Sequence, residues 1–367
     1  MNRTKQLLEK VKQAILDGRL SVENIPIEDI KYCVLNEIQV NRCTFLEEQY
    51  NQVICDFTEV CNSISENEQD LEKVLLFINA MILNVDMISQ IVYRLANREY
   101  WEYKHKVIGD DVELQKIIQN IESNKRINLI NYDFMKEYDL LQVKVYFNEV
   151  CSMKYVWHKG NKMYFPKCWD DERIKKYYRS VVAEQDSRSP HCYFDTTYKV
   201  CAGDVVVDAG AAEGIFALEI IDKAEQIYLI EADPEWIDAL EQTFYAYSNK
   251  VHIIHGFLDS IHEGERVSLN QLFVDEDINY IKMDIEGYER SALLGADKIL
   301  KNASNLRLAI CSYHCKGDEE WISEFLQRNG FEVETSKGYM CPDWTAEAYL
   351  EAEIRKGIVF GNKRKSE

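Results

Sequence analysis

Two groups of residues in this sequence are spaced for chemistry. The first is Asp208, Gly210, Ala211 and Gly214 in V-V-V-D-A-G-A-A-E-G, with Glu231 following in I-Y-L-I-E. A β-branched run closed by an acid, then a glycine-spaced turn, then an apolar helical pattern reads as strand, loop and helix. Glycines suit a turn with unusual dihedrals and let a partner approach closely. A nucleotide-like ligand above the strand's carboxyl end is the natural occupant. The dinucleotide fingerprint G-x-G-x-x-G fails, because Ala212 and Ile215 stand at its second and third glycine positions. Asp208 and Glu213 would also repel a pyrophosphate placed on the helix N-terminus. S-adenosylmethionine carries a sulfonium, an ammonium and no phosphate, and it fits this loop, with Glu231 accepting from both ribose hydroxyls. An ordinary βα turn is the bland alternative. Asp259, beyond the third strand, is a further candidate for the donor site.

The second group is I-K-M-D-I-E-G-Y-E, residues 281–289. In an extended segment Lys282, Asp284 and Glu286 point to one side, presenting two carboxylates and a lysine at a strand's carboxyl end. Asp284 is then a candidate general base as well as a donor contact, and His314, in C-S-Y-H-C at the same sheet edge, is its rival. Lys282 on the same face would make Asp284 a better hydrogen-bond acceptor than proton acceptor, which keeps His314 open. Glu286 and His191 are candidate acceptor contacts. Glu289 reads as a first-turn acid complementing a helix dipole. His252, His255 and His262 lack ligand spacing with nearby cysteines, so no structural metal is expected. A divalent cation on Asp284 and Glu286 is the minority alternative.

These residues need a frame. From residue 201 onward strands and helices alternate, which implies a parallel sheet. The candidate parallel strands are Val205 to Asp208, Ile227 to Glu231, Val251 to His255, Tyr280 to Met283 and Leu306 to Cys311. Phe331 to Ser336 and Ile358 to Gly361 follow, separated by an irregular M-C-P-D-W segment that permits an antiparallel edge pair. Alternation between Lys144 and Phe165 predicts a β-hairpin, and Asp170 is placed to cap the next helix. The loop D-S-R-S-P-H-C-Y, with Arg188, Ser189 and His191, is either an active-site lid or a polar linker. Residues 1–130 carry helical apolar stripes, among them Phe45 to Ile64 and Leu71 to Val85, too extensive to stay solvated. The expected organisation is a helical region over 1–130 for packing, self-association or partner recognition, a connecting segment over 140–199, and the sheet domain over 200–367.

A formal net charge of -20 disfavours nucleic acid and anionic membranes as bulk partners. Eleven cysteines without C-x-x-C spacing read as reduced small hydrophobes. The charged N-terminus lacks a signal-peptide core, and no apolar run is long enough to span a bilayer, so a cytoplasmic protein is expected.

D-A-G-A-A-E-G, I-E-A-D-P and I-K-M-D-I-E-G-Y-E together resemble the FkbM family of S-adenosylmethionine-dependent methyltransferases, over residues 200 to about 335. V-S-L-N-Q-L is similar to that family's T-L-D-x-L segment, with Asn270 where Asp is usual. Ala212 stands where the family usually has Asn. The resemblance implies a class I methyltransferase, Rossmann-like α/β fold with a mostly parallel seven-stranded sheet and helices on both faces, preceded here by the helical region. It also implies O-methylation of a sugar, glycan or polyketide-like small molecule. The alternative is a non-catalytic S-adenosylmethionine-binding scaffold whose helical third recruits a partner. Hydrolysis is disfavoured by the absence of a G-x-S-x-G elbow or H-E-x-x-H helix.

Overall fold

The computed structural model describes residues 111–124, 128–194, 198–342 and 354–364, with isolated positions between 8 and 17 and between 73 and 81. Contacts divide the chain into two units, Met1–Gly109 with Asp343–Glu353, and Asp110–Pro342 with Ile354–Glu367. In the first, Val74 and Ile78 of the expected stripe are helical and buried, as are Phe77 and Met81. The remaining N-terminal stripes and the chain beyond Pro342 up to residue 353 lie outside the described residues.

The second unit begins with α1 (Val112–Asn124) and α2 (Met135–Asp139), then a small antiparallel sheet of β1 (Tyr146–Asn148), β2 (Met153–His158) and β3 (Asn161–Tyr164). The alternation predicted the β2–β3 hairpin; β1 is too short to leave a periodic signal. Helix α3 (Asp171–Glu184) starts where expected, because the Asp170 carboxylate accepts the Arg173 N–H at 2.8 Å and satisfies a donor the helix leaves open.

The main sheet comprises β4 (Val205–Ala209), β5 (Gln226–Glu231), β6 (Val251–His255), β9 (Tyr280–Met283), β10 (Asn305–Cys311), β11 (Glu332–Thr335) and β12 (Ile358–Arg364). A short parallel pair, β7 (Phe257–Leu258) and β8 (Arg266–Val267), lies outside it. The connections hold α4 (Ile215–Ile220), α5 (Pro234–Thr243), α6 (Leu269–Leu272), α7 (Glu289–Leu294), α8 (Asp297–Asn302) and α9 (Asp318–Arg328). The strand order is β11-β12-β10-β9-β4-β5-β6. The five expected parallel strands pair in parallel. The last two do pair antiparallel, but β12 inserts between β10 and β11. Its run Ile358–Asn362 is buried throughout, which suits an interior strand flanked on both sides.

The chain runs outward from β4 through β5 to β6, then crosses to β9 and runs the other way through β10. The strand order therefore reverses between β4 and β9, and a crevice opens there beyond the strands' carboxyl ends. Below it, Val207, Ala209, Ile281, Met283, Leu308 and Ile310 form part of one apolar core. At the opposite strand ends Arg307 pairs with Asp204 at 2.8 Å, both buried.

Candidate active site

A cavity of about 560 Å³ occupies that crevice, a volume in the range of small-molecule sites. The β4–α4 loop forms its floor. Gly210 has φ +73°, and a Cβ there would fall 1.8 Å from the Asp284 carbonyl oxygen; at Gly214 a Cβ would meet the Phe244 ring at 2.6 Å. Both glycines thus make room for the protein's own packing, not for a ligand. Gly210 and Ala211 line the cavity, and Gly214 lies behind it, opening α4.

Asp208, expected at the donor, is fully buried and also lies behind the cavity wall. Lys282 explains it. The ammonium sits 3.0 Å from Asp208 Oδ1 and donates to the Gly210 carbonyl at 2.6 Å, so the pair ties β9 to the loop. Burial alone would push Lys282 down, but Asp208 and Asp284 together hold its ammonium above the ordinary lysine range. Asp259, also expected at the donor, does not line the cavity. Its carboxylate accepts from the Ser291 hydroxyl and the Ser260 N–H and lies 3.3 Å from Arg266, which holds it ionised and fastens the segment after β7 to α7. Phe257 and Leu258 reach the cavity in its place.

Glu231 does stand at the tip of β5 on the cavity. Its Oε1 accepts the N–H groups of Ala232 and Asp233 and its Oε2 that of Ala212, each at 2.8 Å. Three of about four lone-pair sites are thereby used. One remains, on Oε2, so the carboxylate has capacity for one further donor rather than the two expected.

Asp284 begins the β9–α7 turn and collects the most partners. The Tyr193 hydroxyl donates to its Oδ2 at 2.7 Å, His191 Nε2 lies 3.4 Å from Oδ2, and His314 Nε2 lies 3.4 Å from Oδ1. Burial would raise this carboxyl, yet contact with His191, then the charges of Lys282 and His314, hold it well below the usual carboxylate range. The His314 side chain, 5% exposed, lies beside Asp284, and its Nδ1 contacts Glu289 Oε1 at 2.9 Å. Burial opposes its charge, but the hydrogen bond to Glu289 and the charges of Asp284 and Glu286 push it up to about 9, so it is an imidazolium at neutral pH. Neither proposed base is therefore a ready proton acceptor at neutral pH. Glu286 breaks the expected alternation: its φ is +56°, and its side chain swings out to 92% exposure at the cavity rim.

The loop before β4 splits in two. Arg188 points away to Glu137 and Asp186 and is no lid. His191 turns inward, 3% exposed, onto the cavity wall. Its tautomer follows from its neighbours. Tyr193 spends its one proton on Asp284, so toward His191 Nε2, 3.1 Å away, its oxygen can only accept. Asp284, ionised, can only accept as well. Nε2 therefore carries a proton, and Nδ1 is buried with no hydrogen-bond partner. Glu184 Oε2 lies 3.7 Å from it, beyond hydrogen-bonding distance.

Three contributors escaped the sequence. Tyr193 had no motif around it. Glu289 was given the dipole role, yet it is completely buried, accepts the Ile285 N–H at 3.0 Å and holds His314. Glu213 appeared only as an obstacle to pyrophosphate. It is buried in the cavity wall, accepts from the Tyr177 hydroxyl at 2.7 Å, and burial pushes it up to about 7 despite that bond. His252, His255 and His262 stay outside the cavity, with His252 stacked on Tyr228.

A strand-order reversal, an acid at the tip of the second strand and an acidic turn after the fourth now stand together around one cavity. Residues 246–333 match the methyltransferase FkbM domain. The match runs from β6 through α9 and ends within β11, including the Asp284 turn, His314 and Glu289, so the resemblance to the FkbM family holds over this stretch; the β4 loop and Glu231 precede it. Among solved structures, an FkbM methyltransferase from Methylobacillus flagellatus KT aligns at 18% identity and TM-score 0.38, over 53% of this chain and 55% of that one. Precorrin-6y C5,15-methyltransferase from Geobacter metallireducens GS-15 aligns at 13% identity and TM-score 0.34, over 46% and 85%. An rRNA methylase from Streptococcus thermophilus aligns at 15% identity and TM-score 0.31, over 45% and 90%. The chain thus spans just over half the length of the first of these structures. No curated protein matches it. No helix among the described residues is long and apolar enough to cross a membrane.

Proposed function

We propose that the protein transfers a methyl group from S-adenosylmethionine to a hydroxyl of a small molecule or glycan. The observation that carries the proposal is the carboxylate of Glu231, locked by three N–H groups at the tip of β5 with one acceptor site left on the cavity. A ribose hydroxyl fills that site. The donor's positive groups then face a wall that includes Glu213, Asp284 and Glu286, while Gly210 and Ala211 pass beneath it. The FkbM match over the Asp284 turn supports the same reading.

Methyl transfer is an in-line displacement. The C–O bond forms as the S–C bond breaks, its electron pair stays on sulfur, and the acceptor hydroxyl must lose its proton. Holding the acceptor oxygen behind the methyl carbon is the first requirement. Asp284, strongly ionised, suits hydrogen bonding and orientation better than proton removal. We assign proton removal to His191: its Nδ1, enclosed by the protein and without a hydrogen-bond partner, takes the hydroxyl proton when the ring turns toward the bound acceptor, with Tyr193 and Asp284 beside Nε2. This dyad replaces the simpler assignment of the base to Asp284 or His314 alone. Comparing extracts of cells with and without the protein by mass spectrometry tests the reaction. A small molecule or glycan heavier by one methylene, labelled when the donor methyl is labelled, is expected. Label arriving on nitrogen or carbon refutes the hydroxyl, and label on nothing favours the scaffold reading.

A further inference from the structure

The cavity wall holds a buried carboxyl with no cation paired to it. Glu213 is 5% exposed and borders the cavity. It stands between two left-handed backbone positions, Ala212 at φ +44° and Gly214 at φ +79°. A residue with a Cβ is strained at such an angle, and Glu231 Oε2 holds Ala212 there by accepting its N–H at 2.8 Å. The loop seats Glu213 against the Tyr177 hydroxyl, which donates to its Oε2 at 2.7 Å. Among the described residues no lysine, arginine or histidine forms an ion pair with it. Lys282 acts on it by charge alone, its ammonium being bonded to Asp208 and the Gly210 carbonyl. The other groups around the cavity add no cation for it. Glu184 on α3, Asp284 and Glu286 after β9, and Glu231 and Asp233 at the end of β5 are all acids. His191 and Tyr193, before β4, face Asp284. Burial is the largest influence on Glu213 and pushes it up to about 7 despite Tyr177, so it carries a proton in slightly acidic solution.

We propose that Glu213 is the counter-ion of the donor's cationic end and releases its proton to solvent when S-adenosylmethionine binds. This inference rests on the methyl-transfer reading. The donor brings a sulfonium and an ammonium against a single carboxylate. A cation docked beside a buried carboxyl stabilises the ionised form, and the attraction is strong where water is excluded. A ligand that covered Glu213 without bringing positive charge would deepen its burial and favour the protonated form instead. The sign of the proton change therefore reports the charge that the ligand sets against this wall. Tyr177 serves the ionised state, because its hydroxyl donates to the carboxylate that remains and fixes Oε2 in place. By linkage, a group that loses a proton on binding makes affinity rise with pH until the free protein has lost that proton as well. Donor capture is thus weakest in acid and levels off above the carboxyl's own range.

Calorimetric titration of the full chain with S-adenosylmethionine, in pairs of buffers of different ionisation enthalpy, counts the protons. The pH is varied from about 5.5 to 7.5, below the ordinary range of the donor's own α-amino group. A charged hydrogen-bonded contact changes affinity about 10- to 100-fold, which sets the scale. Wild-type affinity should rise roughly 6- to 20-fold across that range, with roughly 0.4 to 0.8 proton released per donor at about pH 6. Glu213→Gln keeps an acceptor for Tyr177 but cannot ionise. Its affinity should be level with pH, roughly 8- to 80-fold below wild type at about pH 7.5 and within about fourfold at about pH 5.5, with no proton released. Level wild-type affinity, proton uptake on binding, or a release that survives in Glu213→Gln overturns the proposal and leaves the donor site standing. A donor that binds at no pH refutes the methyl-transfer reading and this inference with it.

Discussion

Glu213 gives the most quantitative handle on the cavity. Its ordinary value is 4.5, and burial pushes it up to about 7, with the Tyr177 hydroxyl and the more distant Lys282 pulling down and Glu184 pushing up. Between about pH 4.5 and 7 the folded protein therefore holds a proton that the unfolded chain has released. Folding then becomes less favourable as pH rises through that window, because the native state binds more protons there. At about 1.4 kcal/mol per pH unit, the cost at pH 8 is roughly 3 kcal/mol. Glu213→Gln is neutral at every pH, and its amide oxygen still accepts from Tyr177. Chemical denaturation followed by circular dichroism should show the variant within about 1 kcal/mol of wild type at pH 5 and roughly 2 to 3 kcal/mol more stable at pH 8. Parallel stability curves for the two proteins from pH 5 to 8 would refute the buried, proton-holding carboxyl.

Two other substitutions probe the loop and the dyad. Gly210→Ala places a Cβ 1.8 Å from the Asp284 carbonyl oxygen at φ +73°; it should cost about 2 to 4 kcal/mol in denaturation and abolish donor binding. Once the acceptor is known, His191→Ala should lower kcat by about 10²- to 10⁴-fold with S-adenosylmethionine affinity nearly intact; steady-state kinetics and calorimetry together check it, and an equal loss of donor affinity would make His191 a binding residue instead.

The sheet was legible because its strands are short apolar runs ending in acids or turns; β6 and β9 have the bounds the sequence suggested, and β4, β5 and β10 differ by one residue. The insertion of β12 was not legible, since antiparallel pairing is compatible with either an edge or an interior place and only burial on both faces decides. The site was read in part for a related reason. Sequence locates Asp208 and Asp259 at strand ends but does not say that Lys282 and Ser291 already occupy their carboxylates. Alternation placed Glu286 beside Asp284, and the left-handed backbone at Glu286 undoes it. Tyr193 and Glu289 act through contacts between segments far apart in the chain, which no local spacing records.

Calorimetric titration with S-adenosylmethionine is the most direct test of the central claim. The wild type should bind one equivalent and show no comparable affinity for NAD. Glu231→Ala removes a charged acceptor from the ribose and releases the three N–H groups that shape the loop, so it should weaken binding at least ten- to hundredfold, about 1.5 to 3 kcal/mol. Unchanged affinity in the variant, or tight NAD binding by the wild type, would contradict the account.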